Sequence, residues 1–225
     1  MTATRRIGEL AIGVLPIALI LALWQALSVS GAAPAVILPP PTVVFVRLLQ
    51  QFGNPQYWDN AATTLFRLFA GFSIAVVIGV SLGLAATGSR TVEALVRPLV
   101  RVLAPLPKVA LYPAMILILG FDDASKIALV AADATFPILL ATWQGTAAVE
   151  PKLVWSARAA GTTPRAALFK IVLMAALPSV LTGCRIGLII SCIVVFLAEM
   201  TTSTDGLGYL MVRAARNFQD RKSVV

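Results

Sequence analysis

Four ionisable residues interrupt segments that are otherwise apolar: Lys108, Asp133, Arg185 and Glu199. A charge at membrane depth costs about 2.5 to 3.5 kcal/mol even on lenient scales, so such residues are candidates for a solute path. Lys108 and Arg185 suit an anionic solute, and Glu199 would lie at the outer mouth of the path. The alternative is that these charges pair with one another or with a neighbouring subunit, because buried charges are usually paired.

A second group of polar residues lies in the segment VEPKLVWSARAAGTTPRAALFK, residues 149–170. Pro151 suits the first turn of a helix, and Gly161 supplies the left-handed conformation that ends one. Thr162 or Thr163 can then cap a second helix, which begins at the proline that follows them. The pattern therefore predicts two helices joined by a fixed corner.

The first of these two helices is predicted to be amphipathic. One side carries Leu153, Val154 and Ala157, and the remainder carries Lys152, Ser156 and Arg158. A short amphipathic helix with a fixed corner could dock onto another protein. It could equally be an ordinary loop whose cations only set the membrane topology, and the spacing does not separate these two interpretations.

Several kinds of chemistry are excluded by composition. The 225 residues include no histidine, so neither a Ser-His-Asp triad nor a histidine metal site can form. Cys184 and Cys192 are eight residues apart, about 12 Å along a helix, which is too far for a disulfide. No Walker A motif is present, so any nucleotide hydrolysis belongs to another polypeptide. Most of the 18 Lys and Arg residues stand singly between apolar runs, which disfavours nucleic-acid binding.

Apolar runs must position these residues, because 59% of the chain is hydrophobic and only 12% is charged. We predict an all-α integral membrane protein with one domain over residues 1–225. The five predicted spans cover about 11–29, 66–88, 102–121, 127–147 and 178–199, and a polar loop covers 148–176. In the second span, Gly71, Ala75, Gly79 and Gly83 form a face for close helix contact.

The cations between spans predict the orientation of the chain. They concentrate before the first span, between the second and third, and in the 148–176 loop, which places the amino terminus and that loop in the cytoplasm. Arg213, Arg216, Arg221 and Lys222 follow the fifth span and disagree with this bias.

Several segments resemble one family along nearly the whole chain. The segment SARAAGTTPRAALFKIVLMAALP looks like the EAA loop of bacterial ABC-importer permeases, with Ser156, Ala157, Gly161, Ile171 and Leu173 at its motif positions. The segments LPPPTVVFVRLL, RPLVRVLAPLPKVALYPAMILILGF, SKIALVAADATFPILLATWQG and LAEMTTSTDGLGYL look like successive segments of the nitrate, sulfonate and taurine permease group.

The resemblance implies a polytopic bundle of the type I ABC-importer kind in a bacterial inner membrane. It implies a second permease copy in a homodimer, two cytoplasmic ATP-binding subunits that hold the ATP, and an extracytoplasmic solute-binding protein. The chain itself would need no cofactor or metal and would not be an enzyme. The loop would be a coupling helix, with Leu153, Trp155, Ser156, Ala157, Arg158, Gly161, Thr162 and Thr163 in contact with the ATPase.

Three features depart from the family pattern. Trp155 replaces the usual acidic residue of the loop, and Met174 replaces the proline expected after Leu173. Members also carry a sixth span after the GLGYL segment, which we expect to be missing here. In that segment, Gly206, Gly208 and Tyr209 could shape an outer gate or could serve only as turn residues.

Two other classes of function remain as alternatives. An ion-driven secondary transporter would need no docking surface for an ATPase. A membrane-embedded enzyme would need a catalytic constellation, for which only scattered carboxylates are available.

Overall fold

The structure, a computed structural model, describes residues 3–31, 34 and 37–220, and within them it contains helices and no β-strand. This confirms the all-α fold. The α-helices are α1 (Ala3–Val29), α2 (Pro41–Phe52), α3 (Pro55–Gly88), α4 (Arg90–Leu103), α5 (Tyr112–Leu119), α6 (Asp123–Ala147), α7 (Pro151–Ala159), α8 (Pro164–Ala167), α9 (Leu173–Ala175), α10 (Leu177–Thr202) and α11 (Leu207–Asp220). A 3₁₀ turn, Lys108–Leu111, precedes α5, and a π-helical turn, Leu168–Val172, separates α8 from α9.

The chain divides into two compact units, Met1–Trp58 and Asp59–Val225. In the first unit, the ring of Phe52 stacks on Trp58 with ring centroids 5.8 Å apart, and the indole Nε1 of Trp58 donates a hydrogen bond of 2.8 Å to the Phe52 carbonyl oxygen. These contacts fix the end of α2 to the start of α3. The single domain over residues 1–225 stays a prediction.

The second unit is built around α6, and α3 packs against it through the predicted small-residue face. An ideal Cβ added to Gly71 would lie 2.7 Å from Val130 Cβ, and one added to Gly83 would lie 2.7 Å from Thr142 Cβ. Ala75, between these two glycines, is fully buried. Because real Cβ atoms do not approach so closely, the two helices can pack at this distance only through bare backbone. The predicted close helix contact is confirmed.

The other side of α6 packs against α10 in the same way. An added Cβ on Gly187 would lie 2.8 Å from Ile138 Cδ1, and one on Gly183 would lie 2.7 Å from Ala141 Cβ. Leu129 and Val195 are fully buried in the adjoining apolar cluster. On the face of α10 opposite α6, Ile189 and Ile193 are 54% and 55% exposed, so this face is open within the described part of the chain.

Among the described residues, three helices are long and apolar enough to cross a membrane, α3, α6 and α10, and a bent pair of shorter helices could form a fourth span. The predicted third span, 102–121, is not one continuous helix. It is broken near Pro105 and Pro107, so that α4 and the helical segment 108–119 meet at a bend of 89°. Helix α4 also begins at Arg90, well before the predicted start. Residues Val14–Val29 of α1 form a shorter apolar helix.

Candidate functional site: the two ends of the helical unit

The predicted corner in the 148–176 loop is present. Helix α7 begins at Pro151 and ends at Ala159, and Gly161 has a φ of 86°, the left-handed conformation that glycine favours. Of the two candidate caps, Thr163 caps α8 by accepting a hydrogen bond of 3.3 Å from the Ala166 N–H. Nothing lies within 4 Å of an ideal Cβ on Gly161, so a side chain at this position would meet open space.

The outward side of α7 differs from the predicted apolar side. Val154 and Ala157 are half-buried, whereas Leu153 and Trp155 are 49% and 66% exposed. Val154, Trp155 and Arg158 line a cavity of about 340 Å³ between α7 and the ends of α3 and α6. The large apolar side chains available to a partner are therefore Leu153 and Trp155. The remaining predicted coupling residues lie on this exposed surface or at the corner: Ser156, Arg158, Gly161, Thr162 and Thr163.

A nearly continuous helical path joins this corner to α10. Helix α8, the π-helical turn and α9 follow one another without a gap, and a single turn residue, Ala176, precedes α10. A π-helical turn has hydrogen bonds between residues five apart instead of four, and it commonly occurs at functional positions. A displacement of α7 could therefore be transmitted to the start of α10.

In the middle of the unit, Lys108 and Asp133 form an ion pair of 3.2 Å. Lys108 Nζ also donates a hydrogen bond of 3.2 Å to the Ala104 carbonyl oxygen and lies 4.5 Å from the centre of the Phe136 ring. Its side chain is almost completely buried. The pair thus holds the bend between α4 and α5 against α6, and the role predicted for both residues in a solute path stays a prediction.

Arg185 is in the opposite situation. It lies in the first half of α10 and is exposed, on the side turned away from the buried Gly183 and Gly187. Among the residues that the structure describes, it has no hydrogen-bond partner, carboxylate partner or aromatic ring. It is therefore an unpaired cation within an apolar helix.

At the end of the unit opposite α7, Arg67 is surrounded by three carboxylates from different segments. Its Nε donates to Asp123 at 2.7 Å, its Nη1 to Glu199 at 2.9 Å, and its Nη2 to Asp205 at 2.5 Å. The side chains of Arg67 and Glu199 are 2% and 0% exposed. Lys126 adds a second positive charge near the same carboxylates. We call Arg67, Asp123, Glu199 and Asp205 the Arg67 cluster, and it joins α3, α6, α10 and the start of α11.

Glu199 also anchors the GLGYL segment. Its Oε2 accepts a hydrogen bond of 3.0 Å from the Gly208 N–H and one of 2.9 Å from the Thr64 hydroxyl. Gly206 has a φ of 97°, and an added Cβ would overlap the Glu199 carboxylate. The buried Glu199 carboxylate thus accepts hydrogen bonds from three donor groups, on Arg67, Thr64 and Gly208, and the role predicted for it at the outer mouth of a path stays a prediction. Tyr209 is half-buried, and the gate role predicted for this segment stays a prediction.

Asp205 is the member of the Arg67 cluster that lies outside the apolar helices. Burial by itself would raise the pKa of the Asp205 carboxyl group, but hydrogen bonds from Arg67 and from the Ser203 hydroxyl outweigh burial and hold the pKa below its usual value. Asp205 therefore stays ionised at neutral pH and keeps the start of α11 attached to Arg67.

Sequence reasoning missed Arg67, Asp123 and Asp205, because they come from segments more than fifty residues apart. One local signal was available. Asn60, Thr64 and Arg67 share one face of α3, and Asn60 Oδ1 accepts a hydrogen bond of 2.7 Å from the Gly206 N–H. Such a polar face at the end of an apolar span indicates a partner surface.

Comparison with known proteins agrees with this architecture. Residues 75–223 match the family described as binding-protein-dependent transport system inner membrane component. The chain is 31% identical over 214 residues to the taurine transport system permease protein TauC of Escherichia coli, covering 93% of this chain and 77% of TauC. It is 32% identical over 212 residues to a Bacillus subtilis protein provisionally named as the aliphatic sulfonates transport permease SsuC, covering 94% and 76%.

A third relative comes from an archaeon. A Methanocaldococcus jannaschii protein provisionally named as an ABC transporter permease is 34% identical over 202 residues, covering 88% of this chain and 75% of that protein. The family match covers more than half of the chain and includes α4 to α11. The chain therefore belongs to the family of binding-protein-dependent transport system inner membrane components, and it is an ABC transporter permease, a transport subunit rather than an enzyme.

Proposed function

We propose that this chain is the permease of an ATP-driven importer for a small organic solute that carries an anionic sulfonate group, of the aliphatic sulfonate or taurine type. Two copies would form the path, two cytoplasmic subunits would bind and hydrolyse ATP, and an extracytoplasmic binding protein would deliver the solute. The amino terminus and α7 would lie in the cytoplasm. The substrate class is supported by the names of two relatives, which specify taurine and aliphatic sulfonates.

Arg185 is the observation that carries the anion proposal. A guanidinium group on an apolar helix is expensive in lipid, about 2.5 to 3.5 kcal/mol, unless it faces a partner or a water-filled path. Arg185 has no partner within the described part of the chain and lies on the open face of α10. A guanidinium group also matches the oxygen atoms of tetrahedral anions through several N–H donors. We therefore assign the open face of α10 to the solute path between two copies.

Coupling to ATP is assigned to α7 and its corner. Leu153 and Trp155 present large apolar side chains that are 49% and 66% exposed on α7. Exposed aromatic and aliphatic residues of this kind are typical anchors of protein interfaces. The helical path through α8 and α9 would carry movement of α7 to α10, where Arg185 lies.

Reconstitution tests the proposal. The permease is inserted into liposomes with its ATPase, the binding protein is supplied outside, and uptake of radiolabelled ethanesulfonate and taurine is measured with ATP enclosed. We expect uptake that needs ATP, the ATPase and the binding protein, and that unlabelled sulfonates compete for. The matched control is the same liposome with an ATPase that binds ATP but cannot hydrolyse it.

Two outcomes would contradict the proposal. Uptake driven by an ion gradient in liposomes without the ATPase would favour the secondary-transporter alternative. ATP-dependent uptake of a solute without a sulfonate group, with no competition from sulfonates, would retain the ABC permease and reject the proposed substrate class.

A further inference from the structure

A pocket beside α4 contains charged side chains that have no role in the solute path proposed above. Helix α4 carries Arg90, Glu93, Arg97 and Arg101 at positions that fall on one face of the helix. Its neighbouring face buries Val96 and Val100 against Leu139 of α6. The cationic face therefore runs beside the last turns of α6, on the same side of the unit as α7.

The pocket has the size and lining of a site for a small amphiphilic anion. It measures about 410 Å³ and lies between α4 and α6. Arg97, Arg101 and Gln144 provide N–H donors at its edge, and Val100, Leu140 and Trp143 provide an apolar wall. Pockets of 300 to 1,000 Å³ that combine an apolar wall with a few polar groups are typical of small-molecule sites.

The protein balances only part of the positive charge in this pocket. Arg97 pairs with Glu93 and lies 5.6 Å from the Trp143 ring centre, so its charge is compensated. Arg101 and the Gln144 amide have no hydrogen-bond partner among the described residues. Two guanidinium groups and one carboxylate leave one positive charge, and a bound anion would neutralise it.

The orientation of α4 separates this pocket from the lipid-facing side. The exposed apolar residues Leu95, Leu99 and Val102 lie on the face of α4 opposite Arg97. Because acyl chains contact the apolar side of a helix, the side with Arg97 and Arg101 faces away from them. Trp143 is four residues before the end of α6, about 6 Å along the helix axis, so the pocket lies close to the α7 side of the membrane.

We propose that the pocket formed by Arg97, Arg101, Trp143 and Gln144 binds the anionic group of the solute on the α7 side, before release into the cytoplasm. This inference rests on the proposed function, because it adds a second site to the same path. Arg101 and Gln144 would donate to the oxygen atoms of the anion, and Val100 and Leu140 would contact its carbon chain. Binding would be weak, since the site is open to water and must release the solute.

Direct binding tests the pocket without the ATPase. A permease in which Trp24, Trp58 and Trp155 are replaced by Phe retains Trp143 as its fluorophore and is placed in phosphatidylcholine nanodiscs. Titration with ethanesulfonate should change Trp143 emission with saturation, whereas neutral ethanesulfonamide should leave it unchanged. Arg101→Gln should weaken ethanesulfonate binding about tenfold, as expected for a lost charge-assisted hydrogen bond. Arg90→Gln removes the same charge from the same helix face outside the pocket and should bind normally.

The results of this binding experiment can be distinguished from those of the ATP-driven uptake experiment. A flat titration in the parent protein, or equal affinity for Arg101→Gln and Arg90→Gln, would overturn the pocket even if ATP-driven sulfonate uptake is normal. If phosphatidylglycerol in the nanodisc abolishes the ethanesulfonate response, the pocket is a lipid headgroup site and the solute assignment is wrong. Normal binding at the pocket with no ATP-driven uptake would support the pocket and reject the proposed function.

Discussion

The two ends of the second unit differ in whether their charged side chains form ion pairs. Around Arg67, three carboxylates and a guanidinium group are paired, and two of these side chains are almost completely enclosed. On the α7 side, Arg101 and Arg185 have no partner among the described residues, and α7 contains no buried residue. The difference indicates that charge at the first end holds helices together, whereas charge at the second end is available for a solute or a partner.

The largest expected effect is loss of stability in Arg67→Met. Removing one member of a buried ion pair typically costs about 3 to 5 kcal/mol, and here Glu199 would remain buried without its cation. The measurement is thermal unfolding of the purified permease in detergent, followed by size-exclusion chromatography. Arg47→Met is the control, because Arg47 is exposed on α2 and its loss should change stability by less than about 0.5 kcal/mol. Equal stability of the two variants would show that the Arg67 cluster is not structural.

Two glycines with similar backbone conformations, one at each end of the second unit, allow the stability of the two ends to be compared. Gly206 and Gly161 have φ values of 97° and 86°, so alanine is strained at both by about 1 to 2 kcal/mol. Only at Gly206 would the new Cβ also overlap a buried side chain, that of Glu199, whereas nothing surrounds Gly161. We therefore expect Gly206→Ala to unfold at a clearly lower temperature than Gly161→Ala in the same assay. Similar unfolding temperatures would indicate that the segment around Gly206 readily moves away from Glu199.

A charged substitution on the exposed surface of α7 should abolish ATP-driven uptake without lowering the stability of the permease. Leu153→Asp places a charge on the exposed side of α7, where it would be desolvated against a partner. It should enter the membrane in normal amount, yet lose copurification with the ATPase and ATP-driven uptake. Ala157→Asp is a less specific test, because Ala157 is half-buried and its replacement also disturbs the unit. Normal copurification of Leu153→Asp would favour the ordinary-loop interpretation.

The smallest expected effect concerns the pH dependence of the Arg67 cluster. The pKa of Asp205 is lowered in the folded protein, so its contribution to stability is present above its usual pKa near 3.9 and is lost as the pH falls through the lower, folded value. The effect is modest because the Asp205 side chain is half exposed. Unfolding temperatures of the native protein and Asp205→Asn should therefore differ by the same amount at pH 7 and pH 5. A difference that disappears by pH 5 would mean that the pKa of Asp205 is raised in the folded protein rather than lowered.

Much of the fold follows from short-range patterns in the sequence. Apolar run length located α3, α6 and α10, and the four-residue spacing from Gly71 to Gly83 identified the face that packs on α6. The corner at Gly161 and the cap at Thr163 were also predictable, because a left-handed glycine and a capping hydroxyl act within a few residues.

The rest depended on contacts that no local pattern encodes. Arg67 and Glu199 are 132 residues apart, and the sequence around either residue does not indicate that the other is its partner. Arg97 and Arg101 were interpreted as cations of a connecting loop. They belong instead to a helix that packs along α6 through Val96 and Val100. This helix can lie there because the chain bends at residues 104–107, and the sequence pattern does not give the direction of that bend.

The most direct test of the contrast between paired and unpaired charges is ATP-driven ethanesulfonate uptake by Arg185→Gln, expressed per inserted permease, together with its unfolding temperature. Because Arg185 is exposed and has no partner in the described part of the chain, its loss should leave the unfolding temperature within about 2 °C of the native value. Uptake should fall at least tenfold, as expected when a charged hydrogen-bond donor to an anion is removed, and Arg185→Lys should restore part of it. Native uptake by Arg185→Gln, or a large drop in its unfolding temperature, would contradict the account.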